Sequence, residues 1–363
     1  MDSKHASNKV SAMQILDRLD KGLIPDEELR KLVLIQFKRR LQWGYKPTYA
    51  QQLEFNLNFI KSLKQMKMSG TMDVINSESY DLPAAFLEAM FGQTLKQSFC
   101  YFEDESTTLD EAEAATHDLY CERAQIQDGQ KILDIGCGQG SFVIHVAQKF
   151  KGCHVTGITN SRAQKSIIEE RCNNLELSNV DVILADVTKY DTNETFDRII
   201  VIEAVEHMKN VGLFLRKISK WMTEDGLLFL DYICHKTFGH HFEAIDEEDW
   251  YSNYIFPKGS VTIPGASTLL YFQDDVAVAD QWVENGKHMA RTVEEWLRKL
   301  DKNIDAVRKI LEPCLGSKDA VDKVITHSRT FCIGAYEQFS CNDGQEWMIS
   351  HILFRKKKWC RTK

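Results

Sequence analysis

The segment ILDIGCGQGSF, residues 132–142, decides the fold that we predict for this chain. Its apolar beginning is typical of a buried strand. The run SFVIHVAQKF, which starts within its last residues and continues to residue 150, is typical of a helix. Between them lie Gly136, Gly138 and Gly140, and glycine allows a turn to adopt positive φ and a ligand to contact the backbone. Because the helix begins with unpaired N–H groups, this turn predicts a ligand-binding site.

Strand-like and helix-like segments alternate from residue 126 to residue 235. The strand-like runs are KILDIG, CHVTGIT, VDVILAD, the start of FDRIIVIEAVEHM, and GLLFLDYIC. Their spacing predicts a doubly wound parallel sheet with helices on both faces, and their apolar character fits strands that are covered on both sides. We therefore predict an α/β core over residues 126–235.

The segments on either side of this core differ from it. Helical periodicity dominates before the core, and Thr107 or Thr108 is placed to cap a helix over residues 107–126. After the core, residues 236–290 are rich in aromatic residues and histidine and carry loop signals at Pro257, Gly259 and Pro264. Helix-like runs follow at 292–313 and 319–340. We expect an N-terminal helical region over 1–125 that helps to cover cofactor and substrate, a substrate-binding cap inserted over 236–345, and a final strand with a basic tail over 346–363.

Composition and charge narrow the classes of partner and compartment. The chain has 363 residues, 43% of them hydrophobic, and a formal net charge of −8. An acidic surface repels phosphate backbones and anionic lipids, so neither a nucleic acid nor a membrane is an expected partner. Ten cysteines are scattered without a C-x-x-C pair, and the N-terminal MDSKHASNKV lacks the apolar run of a secretory signal. These features predict reduced thiols and a cytoplasmic protein.

The end of the second predicted strand argues against a dinucleotide cofactor. A nicotinamide-binding turn has the spacing G-x-G-x-x-G and an acid about 20 residues later that binds the ribose hydroxyls. Here the spacing is G-x-G-x-G, and the second strand ends in Thr159 and Asn160. An acid does follow the third strand, at Asp186, where a carboxylate can accept a hydrogen bond from an adenine amino group. The pattern therefore disfavours NAD and predicts a different ligand.

Several motifs resemble known families. Asp134 before the glycines and Asp186 after the third strand together resemble the class I S-adenosylmethionine-dependent methyltransferases. The cyclopropane-fatty-acid-synthase-like branch of that class is indicated by TNSRAQ, VIEAVEHMKN and QSFCYF. Within it, the chain resembles the plant N-methyltransferases of benzylisoquinoline alkaloids through RLQWGYKPTY, LYCERAQIQDGQ, CHKTF, DEEDWY, LLYFQDDV and FCIGAYEQFS. This resemblance extends over residues 15–357.

The resemblance implies a Rossmann-like class I methyltransferase fold and a function. Members transfer a methyl group from S-adenosyl-L-methionine to the nitrogen of a small alkaloid amine and leave S-adenosyl-L-homocysteine. MSG at 68–70, GKHMAR at 286–291 and FCIGAYEQF at 331–339 are most similar to the enzyme for tetrahydroprotoberberines such as stylopine or canadine, whose product is a quaternary ammonium. Coclaurine, reticuline and pavine are the alternative acceptors. Members are often dimers, so a homodimer is an assembly that the resemblance allows.

The resemblance also implies roles for individual residues. A catalytic pair is implied at Glu206 and His207, after the fourth predicted strand. We hypothesise that His207 takes a proton from the acceptor amine, while Glu206 holds the cationic amine and tunes His207. Asp81, which stands where related sequences often have Glu, is implied as a substrate contact, and Cys332 aligns with a cysteine of the lipid cyclopropane enzymes. Cofactor contacts are implied for Ser98, Tyr101, Gly136, Asn160, Gln164, Asp186, Val187 and Ile202.

Aromatic residues and histidines supply the remaining candidates. A pocket for an aromatic amine could be lined by Tyr80, Phe256, Tyr271, Phe272, Trp282 and His288. The segment CHKTFGHH is rich in histidine but lacks tetrahedral ligand spacing, so we predict no metal site.

Two other functions are compatible with a cofactor-binding core. A lipid methyltransferase or cyclopropane synthase would need an apolar acyl channel and a basic membrane-facing patch, which the net charge of −8 disfavours. A non-catalytic regulatory module that binds S-adenosylmethionine would not need the adjacent acid and imidazole of Glu206 and His207.

Overall fold

A seven-stranded mixed sheet forms the centre of the computed structural model, which describes residues 11–69, 82–256 and 259–357. The strands of the described chain are β1 (Lys131–Ile135), β2 (His154–Thr159), β3 (Val180–Leu184), β4 (Phe196–Ile202), β5 (Met222–His235), β6 (His240–His241), β7 (Thr262–Ile263), β8 (Val276–Glu284) and β9 (Trp347–Lys356). The sheet has the order β3-β2-β1-β4-β5-β9-β8, and β6 pairs separately with β7. The first five strands are parallel to one another, whereas β9 runs antiparallel to β5 and β8.

The parallel part of the sheet confirms the predicted doubly wound core. In β4, Ile199, Ile200 and Val201 are completely buried, as expected for a strand that helices cover on both faces. The order of the strands reverses at β1, which lies between β2 and β4. The loops that leave β1 and β4 therefore diverge, and this opens a crevice at the carboxyl edge of the sheet.

The two antiparallel strands show where local pattern is sufficient and where it is not. The prediction of a final strand within EWMISHILFRKK is confirmed by β9. The sequence pattern predicts no strand between residues 236 and 290, so β8, in which Val276 alone is fully buried, was missed. Because β8 is an edge strand with polar residues such as Asp280 and Gln281, only its pairing with the distant β9 makes it a strand.

Helices precede the sheet and cover it. The side chain of Thr108 accepts a hydrogen bond from the Glu111 N–H, so the second of the two predicted caps is the one used. The single helix predicted over 292–313 is two helices, because the backbone leaves helical geometry at Asn303 (φ −104°, ψ 13°). The helices in the described ranges are α1 (Ala12–Asp20), α2 (Asp26–Gly44), α3 (Tyr49–Gln65), α4 (Ala84–Met90), α5 (Leu109–Arg123), α6 (Ser141–Lys149), α7 (Arg162–Asn174), α8 (Val211–Ser219), α9 (Trp250–Ile255), α10 (Lys287–Lys302), α11 (Ile304–Leu315) and α12 (Lys318–Gly344).

The N-terminal helices and the predicted cap share one hydrophobic core. The ring of Phe37 in α2 lies 5.4 Å from Tyr251 in α9 and 5.3 Å from Trp347 in β9. Beside them, buried Arg40 forms a 2.9 Å ion pair with buried Asp249, and removing either partner would leave a buried charge uncompensated. The four-part division of the chain stays a prediction. None of the helices described above combines the length and the apolarity that a bilayer-spanning helix requires.

Candidate active site

The glycine-rich turn joins the carboxyl end of β1 to the start of α6. Gly136, Gly138 and Gly140 have φ values of 78°, 53° and 76°, which residues with a Cβ rarely adopt. The N–H groups of Gly136 and Cys137 donate to the carbonyl of Ile158 at 2.9 and 3.1 Å, and these bonds hold the turn against β2. A Cβ at Gly138 would meet no atom within 4 Å, so this side of the turn is open.

A cleft lies beside this turn, at the point where the strand order reverses. The catalytic candidate His207 is in its wall, together with Lys96, Asp134, Ser141 and Glu203. The structure also brings most of the predicted cofactor contacts to this wall. They are Ser98, Gly136, Asn160, Gln164, Val187 and Ile202.

Two predicted cofactor residues lie outside the wall of the cleft. Tyr101 stacks on His288, with 4.7 Å between the ring centroids. Asp186 lies between two wall residues, but its Oδ1 accepts hydrogen bonds from the N–H and the hydroxyl of Thr188 at 2.9 and 2.7 Å. Although burial raises the pKa of Asp186, these two bonds lower it below its ordinary value. The cofactor contacts of Tyr101 and Asp186 therefore stay predictions.

Residues 203–210, here called the catalytic turn after the predicted pair Glu206 and His207, follow β4 and face the glycine-rich turn. They begin with Glu203, a non-glycine residue with a φ of 43°, which is a strained conformation that neighbours must maintain. The N–H of Glu203 donates to the Asp231 carbonyl at 2.8 Å, and its Oε1 accepts from the Phe99 N–H at 2.7 Å. Burial and the carboxylates of Asp231 and Glu206 raise the pKa of Glu203 well above its ordinary value.

Glu206 and His207 point to different surroundings. The Glu206 side chain is buried against β5, where its Oε1 accepts from the Ile233 N–H at 2.7 Å, and it is not in the wall of the cleft. Burial raises the pKa of Glu206 to about 8. Burial lowers the pKa of His207 to about 4, so its imidazole is neutral at physiological pH.

Long-range hydrogen bonds hold the end of the catalytic turn. The Asn210 side-chain N–H donates to the carbonyls of Lys64 and Met66 at 3.1 and 2.9 Å, and its Oδ1 accepts from the Leu213 N–H at 3.1 Å. On the other side, Lys209 Nζ donates to the Gly259 carbonyl and to Thr262 at 3.1 Å. The turn is thus fixed between the C-terminus of α3 and the segment around β7.

The predicted substrate residues Phe256, Tyr271, Trp282 and His288, which the structure describes, lie outside the wall of the cleft. Phe256 packs on Phe242 with a centroid separation of 5.0 Å, and Tyr271 is 43% exposed. The ring of Trp282, in β8, lies 5.1 Å from the Arg123 guanidinium, and His288 stacks on Tyr101. None of these four predicted residues is in the described wall of the cleft, and Tyr80 and Asp81 lie outside the described residues. Their role in substrate binding stays a prediction.

The remaining candidates lie away from the cleft. Cys332 is completely buried in α12, and burial raises the pKa of its thiol. Two of the histidines of CHKTFGHH have polar partners within the fold. His235 Nε2 lies 3.3 Å from Glu346, and His241 Nδ1 lies 2.9 Å from the Thr262 hydroxyl.

Three charged residues of the cleft were not predicted as site residues. Lys96 immediately precedes the QSFCYF motif, and Glu203 lies within the VIEAVEHMKN motif. Asp134 belongs to the glycine-rich motif, and its Oδ1 is buried without a hydrogen-bond partner among the described residues. Burial raises the pKa of Asp134 to about 7, while the Lys96 ammonium lowers it. The sequence signal that could have identified the two acids is their position, because Asp134 lies at the carboxyl end of β1 and Glu203 follows the carboxyl end of β4.

Comparisons with known proteins identify the family. Residues 68–317 match the mycolic acid cyclopropane synthetase family. The chain belongs to this family. The (S)-tetrahydroprotoberberine N-methyltransferase of Eschscholzia californica is 65% identical over 96% of this chain and 99% of the relative. The pavine N-methyltransferase of Thalictrum flavum subsp. glaucum is 50% identical over 98% of this chain and 100% of the relative.

A solved structure agrees with the sequence relatives. The crystal structure of coclaurine N-methyltransferase bound to N-methylheliamine and S-adenosylhomocysteine superposes with a TM-score of 0.93 and 51% identity, over 95% of this chain and 99% of that one. These relatives confirm the class I methyltransferase fold, and they show that the enzyme is an S-adenosylmethionine-dependent N-methyltransferase from the group of plant alkaloid enzymes.

The polar groups of the cleft fit this cofactor. The amino-acid part of S-adenosylmethionine carries an ammonium and a carboxylate, and its sulfonium carries a further positive charge. Asp134, with its unpartnered Oδ1, and Glu203 offer carboxyl groups to the positive charges. The open side of Gly138 leaves room for a ligand against the backbone.

Proposed function

We propose that the enzyme methylates the nitrogen of a tetrahydroprotoberberine, such as stylopine or canadine, to a quaternary ammonium. The observation that carries this proposal is the 65% identity to the Eschscholzia californica (S)-tetrahydroprotoberberine N-methyltransferase, against 50% to the pavine enzyme and 51% to the coclaurine enzyme. All three relatives are aligned over nearly their whole length, so the difference is not caused by a missing segment.

The charges of the cleft support an amine that becomes a permanent cation. Glu203 faces the cleft beside His207, and its carboxyl group has a raised pKa because of burial and two neighbouring carboxylates. A cation bound beside such a group favours its ionised form and lowers its pKa. We therefore propose that Glu203 ionises when the cationic ligand binds and that its carboxylate then stabilises the quaternary product. The alternative, predicted from the sequence, that Glu206 holds the cation is less well supported, because the Glu206 carboxyl accepts from the backbone of β5.

His207 is the proposed proton acceptor. An amine that arrives as an ammonium must lose its proton before its lone pair can attack, and a neutral imidazole in the cleft can take that proton. The Nδ1 of His207 is buried without a hydrogen-bond partner among the described residues, so Nε2 is the nitrogen that we propose for this step. S-adenosylmethionine supplies the electrophilic methyl group, and the contribution of the chain is to align the nitrogen and to exclude water.

The acceptor is tested by comparing four amines under identical conditions. Purified enzyme would be given S-adenosylmethionine with canadine, reticuline, coclaurine or pavine, and kcat/KM and product mass would be measured. We expect the highest kcat/KM with canadine and a product whose positive charge persists at high pH. A higher kcat/KM with any of the other three amines would contradict the proposed acceptor and would leave the N-methyltransferase activity intact.

The roles of the two glutamates are tested by a matched pair of isosteric variants. Glu203→Gln removes the carboxylate that faces the cleft, and Glu206→Gln keeps an oxygen that can accept from the Ile233 N–H. We expect Glu203→Gln to weaken binding of the quaternary product by about 10-fold or more, the usual range for losing a charged partner. Glu206→Gln should change product binding less. A larger loss of product affinity in Glu206→Gln than in Glu203→Gln would instead assign the cation to Glu206.

The compartment and the assembly are also proposals. The described cysteines are free thiols, and most of them are buried, which suits a reducing compartment such as the cytoplasm. A fluorescent fusion would test this location, and enrichment in a secretory compartment would contradict it. Sedimentation of the purified enzyme would test the homodimer that the family resemblance allows.

A further inference from the structure

Lys96 is a buried cation in the wall of the cofactor cleft. Its residue surface is only 2% exposed, and it lies in the loop between α4 and α5. The ammonium donates to the Ser98 hydroxyl and, at 3.3 Å, to the Tyr120 hydroxyl. Tyr120 in turn donates to the Asp231 carboxylate, so its oxygen remains available as an acceptor for Lys96.

The contacts of Lys96 leave its charge without a direct counterion. An ammonium carries three N–H donors, and two of them are used by the neutral hydroxyls of Ser98 and Tyr120. In the described ranges, no carboxylate forms an ion pair with Lys96, although other buried cations such as Arg40 have one. Because a buried charge is costly unless it is paired, this arrangement is suited to receive an anion from the cleft.

The neighbouring groups make the same region attractive to a carboxylate. Ser141, the first residue of α6, lies in the same wall, and the positive end of this helix dipole favours a negative charge. The acids Asp134 and Glu203 lie in the same cleft and suit the ammonium and the sulfonium of the cofactor. The carboxylate is the negatively charged group of S-adenosylmethionine, and Lys96 is the complementary charge.

We propose that Lys96 pairs with the carboxylate of the amino-acid part of the cofactor. In this role it is a cofactor-binding residue, and Ser98 and Tyr120 hold its ammonium in place. The competing explanation is that Lys96 acts through Asp134 and Glu203, whose pKa values its charge lowers, or through packing alone. The two explanations differ in whether the cofactor carboxylate is needed for the effect.

Two ligands that differ only in this carboxylate separate the explanations. S-adenosylhomocysteine has it, whereas S-adenosyl-3-thiopropylamine keeps the ammonium and lacks the carboxylate. Binding of both to the wild type and to Lys96→Met would be measured by calorimetry without any alkaloid, so the result is independent of the proposed acceptor. We expect Lys96→Met to lower the affinity for S-adenosylhomocysteine by about 10- to 100-fold, as for the loss of one charged hydrogen bond. The affinity for the thiopropylamine should stay within about threefold of the wild-type value.

The controls make each outcome decisive. Lys299→Met removes a partly buried lysine that donates to the Phe91 carbonyl outside the cleft wall, and it should leave the binding of both ligands unchanged. Lys96→Arg keeps the charge and should recover most of the affinity for S-adenosylhomocysteine. If Lys96→Met does not fold, Lys96→Gln gives the same comparison with donors for Ser98 and Tyr120. An equal loss for both ligands, or no loss for either, would overturn the proposal.

Discussion

The glycine-rich turn and the catalytic turn end adjacent strands of one sheet, yet they are held in place differently. The first consists of residues with little or no side chain, and its hydrogen bonds go to the backbone of β2, the next strand in the chain. The second starts with a strained Glu203, and its bonds come from α3, β5, the loop before α5 and the segment around β7. The two turns meet where a Cβ on Gly136 would come within 2.9 Å of the Ala204 Cβ.

In the function proposed above, the glycine-rich turn contacts the cofactor and the catalytic turn acts on the acceptor, so this difference would separate the two tasks. A turn built from glycine and local hydrogen bonds can present the same backbone to a cofactor in many related proteins, because few other residues are required to form it. A turn held by side chains from distant segments depends on the rest of the fold. The acceptor chemistry should therefore be sensitive to changes that leave cofactor binding intact.

The largest expected effect comes from His207→Ala. Loss of a positioned base typically lowers kcat by about 10²- to 10⁴-fold, whereas the affinity for S-adenosylhomocysteine should change little because the glycine-rich turn is untouched. Since the pKa of His207 is lowered to about 4, the wild-type kcat should not fall through protonation of His207 until the pH approaches that value. Steady-state kinetics over a range of pH would measure both effects. An unchanged kcat in the variant would remove His207 from the mechanism.

The second effect concerns Glu206 and the pH dependence of stability. The pKa of Glu206 is raised from 4.5 to about 8 in the folded protein, so the folded state retains a proton that the unfolded chain loses between these values. The free energy of unfolding should therefore fall as the pH rises through this window, by up to about 1.4 kcal/mol for each pH unit. Denaturant titrations of Glu206→Gln should show a shallower fall. Parallel curves for the two proteins would mean that Glu206 is ionised in the folded state.

A smaller effect is expected when a methyl group is added to the glycine-rich turn. Gly138 and Gly22 both have positive φ, 53° and 63°, and a Cβ at either would meet no atom within 4 Å. Replacing either glycine by alanine should cost about 1 kcal/mol of stability through backbone strain. Only Gly138→Ala should also lower the affinity for S-adenosylhomocysteine, by about 10-fold, because the added methyl group would meet the ligand. Equal affinities for the two variants would place the cofactor away from this turn.

The smallest effect on activity is expected when two helix-capping residues, Asn210 and Ser317, are compared. Asn210→Ala removes the cap of α8 and leaves the carbonyls of Lys64 and Met66 without their donor, whereas Ser317→Ala removes only the cap of α12. Each lost cap costs about 1 kcal/mol, and we expect an additional loss of similar size for Asn210→Ala. The kcat should fall only in Asn210→Ala, by a few-fold. Thermal unfolding and kinetics that do not distinguish the two variants would show that these long-range bonds do not support the catalytic turn.

The parts of the molecule that could be predicted are those whose geometry is local. The parallel strands followed from apolar runs, the end of the chain from the alternation in EWMISHILFRKK, and the cap at Thr108 from its hydroxyl and position. The edge strand β8 was missed because its polar residues carry no strand pattern and its partner lies much later in the chain. The aromatic residues predicted for the substrate, such as Trp282 and His288, pack on other side chains, which residue type alone could not reveal.

By itself, the sequence determined the doubly wound core and the glycine-rich turn, because these depend on hydrogen bonds and dihedral angles that neighbouring elements of the chain set. The class of cofactor followed from the resemblance of its motifs to a known family. Only the tertiary structure decided which acid faces the cleft, which one lies against β5, and that a buried lysine shares the wall with them. Burial and the distances between charges set these properties, and both arise when segments far apart in the chain are packed together.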